Sequence, residues 1–218
     1  MSIGSYAEQK RDSGMLTIQP NAADLQGLAT FGQLVPKAAV AAQRRAINKT
    51  LGWLRTHIAR AVGKQELIAI GAVRQRLRAY PVTGNTMRGK LWFGLNAIEA
   101  SRIGRARQNS SGVSVAGRRY QGAFFKKVYG GDADIWIRTA SKHFNADDYP
   151  ETLQGKRSSG FSRENDNRFP LAKAKVSLDQ SRALFDTWIK RADERLMEIL
   201  KQELNFELQK YLKGANRV

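Results

Sequence analysis

Lys90-Leu91-Trp92-Phe93-Gly94-Leu95, then Val113-Ser114-Val115-Ala116-Gly117-Arg118-Arg119-Tyr120-Gln121-Gly122-Ala123-Phe124-Phe125-Lys126-Lys127-Val128, then Ile135-Trp136-Ile137 make up the stretch that decides the fold. Short runs rich in aromatic and β-branched residues, punctuated by glycines, read as strands joined by turns. The expected result is a small, mostly antiparallel sheet. Ala116-Gly117 suits a hairpin turn. Phe124-Phe125-Lys126-Lys127 alternates so that each face of its strand carries one aromatic and one lysine.

Outward from that stretch the periodicity changes to that of helices. Pro36 suits a first helical turn, and Ala39, Ala46, Ile47, Leu51, Leu54, Ile58 and Ala61 build one apolar stripe on a helix ending near Val62. A shorter helix is expected from Leu67 to Ala79, with Ile70, Val73 and Leu77 inward, stopped by Tyr80-Pro81. On the other side, Leu184, Phe185, Trp188, Ile189, Ala192, Leu196, Ile199, Leu200 and Leu204 give the broad apolar face of a long last helix running to about Leu212. The predicted class is therefore α+β: a small, mostly antiparallel sheet covered by a basic N-terminal helical segment and a long amphipathic C-terminal helix.

The expected organisation is a flexible arm over residues 1–35, one domain over 36–213 and a short tail over 214–218. Within the arm, Leu16-Thr17-Ile18 has the composition of a short strand. Residues 95–112 read as a mobile basic loop and 141–168 as a long excursion. Lys173-Ala174-Lys175-Val176 alternates as an edge strand guarded by its lysines. No apolar run is long enough for a membrane helix, and no basic segment followed by an apolar core opens the chain, so neither a span nor a signal peptide is expected.

Charge is the strongest global signal. The chain carries 37 Lys and Arg against 19 Asp and Glu, a net charge of +18. Residues 33–140 hold 20 of the basic residues and only 4 acidic ones, whereas the last forty are nearly balanced. No acid stands between Lys37 and Lys64, so Arg44, Arg45, Lys49 and Arg55 have no i to i+4 partner on their own helix. They are available to a partner outside, or to acids that the fold brings. Along the last helix, Arg191 with Arg195, Glu194 with Glu198, and Glu203 with Glu207 stand like to like, a pattern that points to other chains or elements. So polarised a charge seeks a polyanion: nucleic acid, a membrane surface or an acidic protein wall.

Chemistry finds little support. Cysteine is absent, which excludes disulfides and thiolate catalysis. No phosphate-binding glycine loop, dinucleotide fingerprint, H-E-x-x-H or G-x-S-x-G occurs. His57 lies in the basic helix, and His143 with Asp147 and Asp148 forms only a loose metal-ligand set. A nuclease needs acids clustered in the basic region, and residues 33–98 hold only Glu66. Arg74, Arg76 and Arg78 invite a helix-turn-helix reading, but apart from Gln75 no base-reading side chain stands among them. No enzyme activity, cofactor or metal is expected.

Four pieces in order, Arg44-Arg45-Ala46-Ile47-Asn48-Lys49-Thr50-Leu51-Gly52-Trp53-Leu54, Val73-Arg74-Gln75-Arg76-Leu77-Arg78, Gly89-Lys90-Leu91-Trp92-Phe93-Gly94-Leu95-Asn96 and Gly112 to Phe124, resemble the minor tail protein Z family of tailed bacteriophages and prophages. The resemblance spans about residues 36 to 212 and rests on short motifs that are specific only jointly. It implies a structural virion protein, a tail-completion or neck component at the head–tail junction, assembled in the host cytoplasm and without enzymatic activity. It further implies a homo-oligomeric ring, with a hexamer favoured, beside the tail terminator and the head–tail connector. On this reading Arg44, Arg45, Lys49, Arg55, Arg74, Arg76, Arg78, Arg102, Arg105, Arg107, Arg118, Arg119, Lys126 and Lys127 face phage genomic DNA or acidic walls of neighbouring tail proteins. Phe124, Phe125, Lys173 and Lys175, with the last helix, would meet the next subunit. The competing class is a free, non-sequence-specific nucleic-acid-binding protein.

Overall fold

Along Gly89–Gly94, Leu91 and Phe93 are buried while Lys90 is exposed and Trp92 half-buried, the period of two expected of a strand with one covered face. This strand lies within a computed structural model that describes residues 4–7, 13–18, 35–83, 86–128, 132–149 and 171–215. In order, the elements are β1 (Gly4–Ala7), β2 (Ser13–Ile18), α1 (Pro36–Gln65), α2 (Ile70–Arg76), β3 (Leu77–Tyr80), β4 (Gly89–Gly94) and β5 (Ile98–Glu99). They continue with β6 (Arg107–Asn109), β7 (Gly112–Val115), β8 (Arg118–Gln121), β9 (Phe124–Lys127), β10 (Ala133–Arg138), β11 (Leu171–Lys173), β12 (Lys175–Val176) and α3 (Ser181–Ala215). Every strand pairing among the described residues is antiparallel. The class is α+β, with a long N-terminal helix, a long C-terminal helix and several small antiparallel sheets. Among the described residues no helix is long and apolar enough to cross a membrane.

The chain divides into two compact units, a subdivision that the sequence does not announce. The first comprises Met1–Ala61, Arg74–Gly94 and Arg182–Val218; the second comprises Val62–Val73 and Leu95–Ser181.

The first unit is built on the sheet β1-β2-β4-β3. Helix α1 covers one face: a Cβ on Gly89 would stand 2.7 Å from Ile47 Cγ2 and from Leu51 Cδ1, so only a hydrogen lets helix and strand approach this closely. The same face meets α3, where Phe93 and Phe185 have ring centroids 5.5 Å apart. The apolar stripes read on α1 and α3 are buried here, Ile47, Leu54, Ile58, Phe185 and Leu196 almost completely. Two expectations need correction. Residues 13–18 are not loose: β2 pairs with β4 along its whole length and buries Leu16 and Ile18. Leu77–Tyr80 is strand and not the end of a helix, because pairing Leu77 with Phe93 and Tyr80 with Lys90 satisfies its backbone on β4. Arg78 thus stands on a strand. Residues 1–3, 8–12 and 19–34 of the arm lie outside the described residues.

The second unit holds three small sheets, β6-β7-β8, β11-β10-β9 and β12-β5. Ile98, Ile103, Val113, Ile135, Ile137, Tyr149 and Leu178 form its core. The hairpin turn expected at Ala116-Gly117 is present, with φ of 48° and 79°, the left-handed pair that a two-residue turn between twisted strands requires. The expected loop over 95–112 is a correction. It contains β5, a 3₁₀ turn at Ala100–Arg102 and β6, which pairs with β7. Asn109 holds the β6–β7 turn, its Oδ1 accepting from the Ser111 and Gly112 amides at 3.0 and 3.1 Å. Of the excursion over 141–168, residues 141–149 are described, with a 3₁₀ turn at Ala146–Asp148; 150–168 lie outside the described residues. Helix α3 runs into the expected tail, to Ala215.

Candidate polyanion-binding surfaces

Much of the basic helix is engaged within its own unit. Arg45 Nε lies 2.5 Å from Glu203 Oε2 and its Nη2 lies 2.6 Å from Glu207 Oε1, while Lys49 also binds Glu203. The two acids, expected to pair with other chains or elements, are buried on α3 against another element, α1. Burial pushes the Glu203 carboxyl up, but hydrogen bonds from Lys49 and Arg45 outweigh it and hold the group below its ordinary range. Arg55 donates to the carbonyls of Leu77 at 3.0 Å and Arg74 at 3.3 Å, tying α1 to the α2–β3 junction. In the second unit Arg102 pairs with Glu99 at 2.7 Å. Arg118 donates to the Glu66 carbonyl at 2.7 Å, with its other nitrogen 4.0 Å from the Glu66 carboxylate. Lys173, expected at a subunit edge, instead pairs with Asp134 at 2.7 Å and lies 5.0 Å over Trp136. Arg44, Arg76 and Lys175 are likewise engaged.

Two surfaces keep their cations outward. In the second unit, register places Arg107, Ser114 and Arg119 side by side across β6, β7 and β8 on one face. With Arg105, and with Arg118 whose guanidinium is engaged by Glu66, they line a cleft of about 460 Å³ whose described lining holds no Asp or Glu. Arg119 is steadied by Ser111, donating to its Oγ at 2.8 Å. Lys126 and Lys127 are exposed on the neighbouring strand β9. Phe124 is half-buried there and Phe125 is 37% exposed, although its amide donates to Gln108 Oε1 at 2.8 Å. In the first unit, Arg78, Arg88 and Lys90 stand around a groove of about 610 Å³ with Tyr80 and Trp92. Arg74 is exposed on α2.

No protein-family model matches the chain, and no curated protein or solved structure matches it either. The chemistry of these surfaces follows from their own geometry.

Of the residues expected on a basic surface, the structure gathers Arg105, Arg107, Arg118 and Arg119 in one cleft and puts Arg78 on the other surface. Arg88, Lys90, Tyr80 and Trp92 were not singled out by sequence reasoning. For two of them the signal was available: Lys90 and Trp92 alternate with the apolar Leu91 and Phe93, which sends them to the uncovered face.

Other titratable groups are held in contacts within their own units. Ser101 and Lys173 both donate to Asp134, which is buried. Burial lowers the Lys173 ammonium, but the hydrogen bond and charge of Asp134, with Glu99, raise it above its ordinary value. His57 completes a three-ring cluster with Trp53 and Trp188, its ring centroid 4.6 and 5.0 Å from theirs and the two indoles 5.4 Å apart. Burial, then the charges of Arg60 and Arg195, lower its pKa. His143 packs against Gly122, while the amide of Asp147 donates to Asn145 Oδ1 at 3.2 Å. Among the described residues no group of three or more His, Asp or Glu side chains is gathered as a metal would need.

Proposed function

We propose that this chain is a structural protein of a tailed-phage virion, a tail-completion or neck component at the head–tail junction. Its outward cations then meet DNA or acidic neighbouring proteins around a ring. The observation that carries the reading is the Arg107–Ser114–Arg119 row with Arg105. These guanidiniums stay exposed in a segment with no acid between Glu99 and Asp132, while cations such as Arg45 and Lys173 are matched internally. Planar guanidiniums presented without base-reading amides suit phosphates or carboxylates and carry no sequence preference. The motif resemblance supplies the setting, and ring symmetry would repeat the patch around a channel.

The test is electron microscopy of particles made with the gene intact and disrupted. The reading expects tails that fail to join heads when the protein is missing, and labelled protein at one end of the tail when it is restored. Normal particles without the protein contradict it. The second reading, a free nucleic-acid-binding protein, draws on the same cations. It expects a monomer or dimer that binds random duplex tightly in solution and no particle incorporation.

A further inference from the structure

We infer that the open face of β2-β4-β3 in the first unit is a platform for single-stranded nucleic acid. The face is a checkerboard. On β4, Lys90 and Trp92 point outward from positions whose neighbours Leu91 and Phe93 are buried. On β3, Arg78 is registered opposite Trp92 and Tyr80 opposite Lys90. Each aromatic ring therefore has a cation directly across the sheet and another beside it on its own strand. Arg88, just before β4, adds a third positive charge to the same groove.

Three observations give the platform its chemistry. First, residues 77–94 and 13–18 contain no Asp or Glu, so no carboxylate of these strands neutralises the face. Second, the Trp92 indole lies down along the strand: a Cβ on Gly94 would be 2.6 Å from its Cη2, so the glycine makes room for the ring to rest on the backbone. Third, Tyr80 is 50% exposed and Arg78 lies 5.9 Å over the Trp92 ring. An aromatic pair, exposed at Tyr80 and half-buried at Trp92, with guanidinium and ammonium groups interleaved fits a ligand that alternates flat apolar plates with anionic links. A single strand with unpaired bases is that ligand, a base stacking on the exposed Tyr80 ring beside the Trp92–Arg78 pair and the phosphates meeting Arg78, Arg88 and Lys90. A duplex hides its base faces and leaves the rings unused. An acidic peptide satisfies the cations but brings no plates.

This inference stands apart from the virion reading, since it concerns a different surface and is tested without particles. The experiment is fluorescence anisotropy of the full chain with labelled oligothymidylate and oligouridylate, a duplex of equal length, and polyglutamate as competitor, at several salt concentrations. Single strands should bind at least about tenfold more tightly than duplex. Tyr80→Ala should weaken single-strand binding by roughly 5- to 150-fold with an unchanged salt slope, the range that removing one base–aromatic stack gives. Arg88→Ala should instead flatten the salt dependence, by about 0.7 in slope for one phosphate. Both residues are exposed, so neither variant threatens the fold; Arg119→Ala, in the other unit, should leave the discrimination between single strand and duplex intact. DNA preferred over RNA, or the reverse, names the source of the strand. Equal binding of duplex and single strand, full competition by polyglutamate with no effect of Tyr80→Ala, or no binding at low salt overturns the inference.

Discussion

Glu203 is the residue on which the first unit's charge balance turns, because it receives Lys49 and Arg45 together while almost fully buried. Glu203→Ala leaves Lys49 without its acceptor and Arg45 with Glu207 alone, and both cations reach solvent, so the loss is smaller than for a fully buried pair: about 1–2 kcal/mol. Urea unfolding should record it as a lower midpoint with unchanged slope. The pH dependence follows from the sign of the shift. The folded carboxyl titrates below its ordinary value of 4.5, so its contribution is fully present above that pH and disappears as pH falls through the lower folded value. Stability of the native chain should therefore drop below pH 4.5 more steeply than that of Glu203→Gln. His57 works in a different window. Its folded pKa is lowered, so on acidification the unfolded chain takes up the proton first, and stability starts to fall near the ordinary value of 6.5. A His57→Phe variant, followed by thermal melts from about pH 7.5 to 5, should lose that part of the slope.

At the scale of elements, α1 approaches β4 so closely at Gly89 that no side chain fits between them. Gly89→Ala pushes a methyl to within 2.7 Å of Ile47 and Leu51 and should destabilise by about 1–3 kcal/mol, read by chemical unfolding. What the sequence made legible follows from how local each signal is. The long helices, β4 and the Ala116-Gly117 turn carry their periodicity or turn chemistry within a few residues. Strand β3 does not: Ile70, Val73 and Leu77 continue a helical spacing, and only the partner strand β4, further along the chain, converts Leu77–Tyr80 to strand. Arg107-Gln108-Asn109 has no β-prone side chain, and its pairing with β7 is equally invisible without the fold. The site was legible in part for the same reason. The arginine row across β6, β7 and β8 sits in a segment whose lack of acid is plain, but which cations are matched depends on partners such as Glu203, 158 residues from Arg45. The neutralising acids of α3 were visible as like-charge rows and were read as pointing to other chains or elements; the fold turns them onto another element, α1.

For the molecule as a whole, a net charge of +18 has two fates. Part of it is matched inside each unit by Glu203, Glu207, Glu99, Asp134 and Glu66. Among the described residues, two further groups of cations stand on surfaces whose described lining holds no acid. The direct test is equilibrium binding of the full chain to random-sequence duplex DNA and to polyglutamate across a salt series, repeated with the paired substitution Arg107→Ala and Arg119→Ala. Binding to at least one of the two is predicted, weakening steeply as salt rises, and on DNA the variant's slope should be shallower by about 0.9 for each phosphate it no longer neutralises. Binding to neither at low ionic strength, or binding whose salt slope the variant leaves unchanged, would contradict the account.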